Sequence, residues 1–265
     1  MQGITVVKNE KYAIIFINEF SDEFKDAIRA RLSAICYGAA DAATGRHLYS
    51  YSSTIKEFIK RYNDKTDKQK KGMIGELLLH VLLAEHLNQF SVNSPFFNLE
   101  ERSVKKGFDV VLSKSGSEEL WLAEVKSGEL HSGKTSSQTA VELINTAHND
   151  LYNRLNDDSV SLWLNAVNGA KAAIDVQRDD RDAIISLLQG CGDAAAEDNL
   201  DSHNINVILV GTLYNSLKDQ ISEGAISTKY AKAVKKKSFR MVFLIAIQKE
   251  TYQKVFQFLE SESRR

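Results

Sequence analysis

The stretch from Gly107 to Lys126 constrains this chain more than any other. Two short apolar runs, Phe108 to Leu112 and Leu120 to Val125, flank Ser113-Lys114-Ser115-Gly116-Ser117, a polar, glycine-bearing segment that reads as a hairpin turn. Pairing about Gly116 sets Asp109 opposite Glu124 or one place from it. Side chains alternate along a strand, so Glu124 and Lys126 project to the same side. Two carboxylates and an ammonium are thereby expected to converge on one sheet face.

A chain of 265 residues can bury a full core, and its size suits one large domain, the favoured reading, or a domain with a substantial extension. Residues 1–66 are expected to form an N-terminal extension that packs on the core or on a partner, and residues 67–265 the domain that carries the chemistry. With 43% hydrophobic and 26% charged residues the composition is that of a folded protein. No apolar run reaches the roughly 20 residues needed to span a bilayer, so no membrane role is expected. No secretory signal is visible at Met1 to Thr5, and two cysteines, Cys36 and Cys191, are too few for a disulfide framework. Both features point to the cytoplasm. A formal net charge of -1 argues against an obligate polyanion-coating protein, but leaves room for a local basic surface. Lys65 to Lys71 and Lys232 to Arg240 are the two basic runs; each suits phosphate contacts or, more plainly, a solvated face.

In chain order, Tyr12 to Ile17 reads as a buried strand and Ser21 to Ile35 as a helix with Ser21 as its N-cap. Gly38 to Gly45 reads as a loop, and Thr54 to Tyr62 as a short amphipathic helix. A longer helix is expected from Asp67 to Leu87. Its interior glycines, Gly72 and Gly75, cost about 1 kcal/mol each against alanine, so close backbone approach is expected at both. Glu76 shares a small and apolar stripe with Gly72, Leu79 and Leu83; its plain reading is a rim charge paired with Lys71 or Lys106. Gln89 to Leu99 is expected to be extended, with Pro95 marking an edge. Beyond the hairpin, Ser127 to Ser137 reads as a polar loop and Gln138 to Leu155 as a helix. Ser159 to Val167 is ambiguous between strand and helix, with the alternation of Val160, Leu162 and Leu164 slightly favouring a strand. Asp179 to Leu188 reads as a helix, Cys191 to His203 as an exposed loop, Ile205 to Val210 and Met241 to Ile247 as strands, and Asn215 to Ile221 and Lys249 to Glu260 as helices. The order is that of an α/β fold with a mixed sheet flanked by helices.

Two acids held close together repel unless one is protonated or a cation joins them, so Asp109 and Glu124 have a physical reason to bind a metal. Their oxygen donors suit Mg2+ or Mn2+, and the Val125 carbonyl can add a further oxygen. Lys126 would then face the attacking water or a phosphate, and Glu76 could complete the metal shell directly or through water.

An acidic helix residue, then Asp, then Glu-X-Lys on successive strands resembles the PD-(D/E)XK nuclease superfamily, whose restriction-endonuclease-like core is a helix, three strands, a helix and a strand. That resemblance implies a Mg2+-dependent DNA nuclease with Asp109 and Glu124 as metal ligands, Lys126 as catalytic lysine and Glu76 as accessory acid. It also suggests Gln138 as a further polar site residue; Phe108 stands where the superfamily's proline usually precedes the aspartate. Lys71 to Leu83, Gly107-Phe108-Asp109 and Ala123 to Gly128 are similar to the HamA family of nuclease subunits in the Hachiman antiphage system. The similarity implies a cytoplasmic effector nuclease restrained by a HamB-like helicase partner subunit and released against DNA on infection.

Gly128-Glu129-Leu130-His131-Ser132-Gly133-Lys134-Thr135 also satisfies the phosphate-loop string, which makes a P-loop-type NTPase an alternative. Such a site needs a second strand ending in an acid, and neither Val207 to Gly211 nor Met241 to Ile247 ends in one. Lys134 and Lys106 are therefore read as candidate DNA contacts. A structural salt-bridge cluster and a catalytically idle adaptor that binds nucleic acid or protein are the remaining alternatives. His80, His131 and His148 show no zinc spacing.

Overall fold

In the computed structural model, which describes residues 1–97, 107–117, 119–156 and 160–265, the strands join into one mixed sheet. The elements run β1 (Ile4–Lys8), β2 (Tyr12–Ile17), α1 (Asp22–Tyr37), α2 (Ala39–Ala42), α3 (Tyr51–Asn63), α4 (Asp67–His86), β3 (Phe90–Val92), β4 (Val110–Lys114) and β5 (Leu120–Glu129). They continue as α5 (Ser136–Asn156), α6 (Val160–Ala173), α7 (Arg181–Ala196), β6 (Asn206–Tyr214), α8 (Glu223–Lys235), β7 (Met241–Lys249) and α9 (Gln253–Ser263). The sheet order is β1-β2-β7-β6-β5-β4-β3. β2, β7, β6 and β5 are parallel, while β1 at one edge and β4 and β3 at the other run antiparallel to their neighbours.

The central strands are apolar on both faces because helices cover both. Ile15, Ala123, Val125, Val210 and Ile245 share one core with residues of α1, α3, α4 and α9. Ile14, Leu122, Leu209 and Leu244 share the other with residues of α5, α6, α7 and α8. The order α4, β3, β4, β5, α5, β6 is compatible with the core implied by the sequence resemblance. Residues before Asp67 supply β1 and β2 to this same sheet, and β2 lies beside β7 in parallel.

Several local expectations need correction. Ser159 lies outside the described residues, and Val160 to Val167 is helical rather than a strand. The buried residues Leu162, Trp163, Ala166, Val167 and Ala170 follow helical spacing, and Leu164, which completes the apparent alternation, is exposed. The alanine-rich stretch after Cys191 extends α7 to Ala196 instead of forming a loop, in keeping with alanine's helix propensity. Asn215 to Ile221 forms turns, not a helix, because buried Gln248 satisfies its backbone. Gln248 Nε2 donates to the carbonyls of Ser216 and Asp219, and its Oε1 accepts from the Ile221 amide. One helical turn, α2, interrupts the loop expected after Gly38, and β5 continues two residues beyond Ser127 before the loop begins. Neither β1 nor α8 was anticipated.

α4 starts on a capping box in which Thr66 and Gln69 bond reciprocally. A Cβ on Gly75 would meet the Ser127 side chain, with its Cβ at 3.1 Å, and Thr212 Cβ at 3.3 Å, so α4 lies against β5 and β6 as closely as a glycine allows. Gly72 has nothing within 4 Å, and the close approach expected there is absent.

Candidate active site

The hairpin brings the expected residues together. Val110 pairs with Ala123, so the register continued by one residue sets Asp109 opposite Glu124. β4 begins at Val110, so among the described residues β5 beyond Ala123 has no β4 partner. Val125 would leave its amide open there, and Asp109 Oδ2 accepts from it at 2.8 Å. The N–H and C=O of one strand residue point to the same edge, so the Val125 carbonyl faces the same opening.

Glu124 is fully buried, on the face covered by α5. Its Oε1 accepts from Lys126 Nζ at 2.8 Å and from Arg154 on α5 at 3.0 Å. Its Oε2 is buried with no hydrogen-bond partner among the described residues. Burial, reinforced by the charge of Asp109, pushes the Glu124 carboxyl up to about 7 against the pull of Arg154 and Lys126. Lys126 also meets Asp150 of α5 at 2.7 Å. Burial disfavours the Lys126 charge, but Glu124, Asp150 and Asp109 outweigh it and raise its pKa. Arg154 further donates to the Gly107 carbonyl at 3.1 Å, tying α5 to the start of the hairpin.

Asp150 and Arg154 were not anticipated. The signal was an i, i+4 charge pair beside Ala147 and Leu151, which are fully buried on the sheet side of α5. Charges so close to a buried stripe need a partner on the sheet, and Lys126 and Glu124 supply it.

The remaining candidates lie on other segments. α4 packs on the face that carries Val125 and Ser127, so Glu76, half-buried, approaches β5 from the other side of the sheet. Lys71 pairs with Glu129 at 2.5 Å. Gln138 is exposed and caps its own helix, its Oε1 accepting from the Thr135 amide at 2.9 Å. Lys134 pairs with Glu142, which also bonds His131 at 2.7 Å. Lys106 lies outside the described residues. In the phosphate-loop string, Gly128 and Glu129 belong to β5, and the Ser136 amide at the start of α5 donates to Asp219 at 2.8 Å. An open cradle would leave that amide for phosphate.

Among the described residues no three His, Cys, Asp or Glu side chains are grouped to hold a metal ion. Asp109, Glu124 and the Val125 carbonyl nonetheless fit Mg2+, which binds through one or two carboxylates and keeps several waters. The partnerless Glu124 Oε2 is a donor of the right kind. No helix among the described residues is long and apolar enough to cross a membrane.

No curated protein matches this chain. A family model described as HamA matches residues 5–259, nearly the whole sequence and all of the cluster. The chain therefore belongs to the HamA family of the Hachiman system, whose role is antiphage defence.

Proposed function

We propose that this protein is a Mg2+-dependent deoxyribonuclease, the effector subunit of a defence complex with a helicase partner. The observation that carries the reading is Glu124, a fully buried carboxylate with one oxygen lacking a partner among the described residues, set opposite Asp109 and beside Lys126. Desolvating a carboxylate is costly, and a buried acid set opposite a second, half-buried one is most readily explained by a cation that joins them.

Asp109, Glu124 and the Val125 carbonyl would hold Mg2+ or Mn2+, with Glu76 as an accessory ligand, directly or through water. When bound, the cation makes its water more acidic and offsets charge on a phosphate. Asp109 is held for this task by the Val125 amide. Lys126 stands between Glu124 and Asp150, so its ammonium has a fixed direction from which to orient water or meet a phosphate oxygen. Arg154 donates from α5 to the same Glu124 oxygen that Lys126 bonds, leaving Oε2 for the cation. Lys134 and Gln138 are exposed on the α5 side of the sheet, where they could touch DNA; Lys106 is a third candidate contact.

The test is cleavage of plasmid DNA by the purified protein, alone and with its helicase partner, in Mg2+ and in excess chelator. Metal-dependent cleavage supports the reading. Absence of cleavage in both preparations refutes it.

One observation favours a second reading, an idle adaptor that binds nucleic acid or protein. Asp109 and Glu124 already have internal partners in Val125, Lys126 and Arg154. Binding to DNA without turnover, unaffected by Glu124→Ala, would favour it.

A further inference from the structure

We propose that Lys249 is the floor of a second binding site, separate from the carboxylate cluster, which takes a small phosphate monoester carrying a flat apolar group. Lys249 ends β7 opposite Ile17 of β2, and the two strands are parallel. The crevice beyond the carboxyl ends of parallel strands is where open α/β sheets receive ligands. Here it is a cavity of about 360 Å³ between the start of α1 and α9, lined by Lys249, Asn18, Phe20, Lys25, Lys254 and Phe258. Its volume falls in the small-molecule range of about 300–1,000 Å³.

The lysine itself is the reason to expect an anion. Lys249 is 2% exposed, and among the described residues no carboxylate lies within ion-pair distance of it. Its one described contact of the ammonium is the face of the Phe20 ring, 5.5 Å from the centroid. Buried charges are ordinarily paired, so an ammonium set into a cavity wall without a counter-ion lacks half of its normal environment. Burial, with Lys254 nearby, pulls its pKa down to about 8 against the weaker opposing effect of Glu250, which lies beyond ion-pair distance.

The surroundings narrow the ligand class. Lys25 also sits over Phe20, at 5.8 Å, and pairs with the largely exposed Asp22; Lys254 pairs with the exposed Glu250. Both pairs are weak surface contacts that an incoming dianion can replace. Three ammonium groups against the two carboxylates of Glu19 and Glu250 leave the cavity lining net positive, which suits a phosphate. Phe20 and Phe258, edge to face at 5.6 Å, line the same cavity with Lys249 and Lys25 over Phe20 and Arg29 over Phe258, so their ring edges offer the apolar contact for a planar group. Glu19 also lines the cavity and can accept from ligand hydroxyls. A nucleoside monophosphate has each of these parts.

Titration calorimetry of the full chain with adenosine monophosphate, and separately with inorganic phosphate, tests the site. The expected result is saturable binding of the nucleotide, tighter than that of inorganic phosphate and weakened about ten-fold or more in Lys249→Met. No binding of the nucleotide at millimolar concentration overturns the proposal. So does equal affinity in Lys249→Met, or inorganic phosphate binding as tightly as the nucleotide. If Lys249→Met does not fold, acylation of Lys249 in the wild-type chain, read by mass spectrometry, replaces it. Protection by the nucleotide supports the site, and labelling unchanged by the nucleotide overturns it.

Discussion

Asp109 Oδ2 accepts a hydrogen bond from the Val125 amide at 2.8 Å, so the first acid of the cluster is fastened to the strand that carries the second. The bond closes the edge of β5 where β4 departs, and it needs only an acceptor. Ligation of a cation needs the charge as well. Asp109→Asn separates the two roles, because its amide oxygen can still accept from Val125. Stability is expected to stay within about 1 kcal/mol of the parent by thermal melting. Cleavage in Mg2+ should fall by about 100-fold or more. Full activity in Asp109→Asn would remove Asp109 from the metal site.

Lys126 is held from two sides, by Glu124 at 2.8 Å and Asp150 at 2.7 Å. Lys126→Ala is expected to abolish detectable cleavage while leaving the far-ultraviolet spectrum unchanged. Asp150→Asn keeps the ammonium but weakens one of its supports, so a smaller loss, about ten-fold, is expected in single-turnover cleavage. Equal losses in the two variants would mean that Asp150 does more than position the lysine.

The glycines of α4 give opposite expectations. Gly75 faces Ser127 and Thr212 at contact distance, so Gly75→Ala must push α4 off the sheet and should cost about 1–3 kcal/mol in urea unfolding. Ser127→Gly in the same chain should recover part of that loss. Gly72 has open space around it, and Gly72→Ala should stabilise the helix by up to about 1 kcal/mol.

The hairpin and its charges were legible because strand alternation and turn chemistry are local, and they alone set Asp109, Glu124 and Lys126 on one face. Arg154 and Asp150 were not, since nothing local says that α5 lies over β5 in the register that brings them to Glu124 and Lys126. Glu76 illustrates the same limit from the other direction. Its helical stripe was readable, but which sheet face that stripe would cover depends on the crossover from α4 to β3. Gln248 shows how a distant side chain overrides propensity: its amide bonds the backbone of Ser216, Asp219 and Ile221 and holds in turns a segment that local pattern reads as a helix. The family match then extends over β1 and β2 as well as the cluster, which the quoted motifs alone did not reach.

His148 provides a pH dependence with a definite sign. It is buried on α5, where burial first, and then Lys229 and Lys236, pull its pKa from 6.5 to about 4. The folded protein therefore binds fewer protons at this site than the unfolded chain between those values. Its contribution to stability is fully present above pH about 6.5 and is lost as pH falls toward 4. Melting temperature should drop over that window, and His148→Gln should show a shallower drop. An unchanged slope in His148→Gln would assign the acid sensitivity elsewhere.

Arg154 offers a test of the cation that does not rely on cleavage. Its guanidinium donates to Glu124 and to the Gly107 carbonyl, so Arg154→Met leaves a fully buried carboxylate with Lys126 as its remaining described cation. Loss of one partner from a buried ion pair costs about 3–5 kcal/mol, and the partial exposure of Arg154 argues for the lower part of that range or less. In chelator, Arg154→Met should melt well below the parent. A divalent cation between Asp109 and Glu124 restores the missing positive charge, so Mg2+ should raise the melting temperature of Arg154→Met more than that of the parent. If Mg2+ raises both equally, the cation does not sit at Glu124, and the metal site has to be sought elsewhere in the fold.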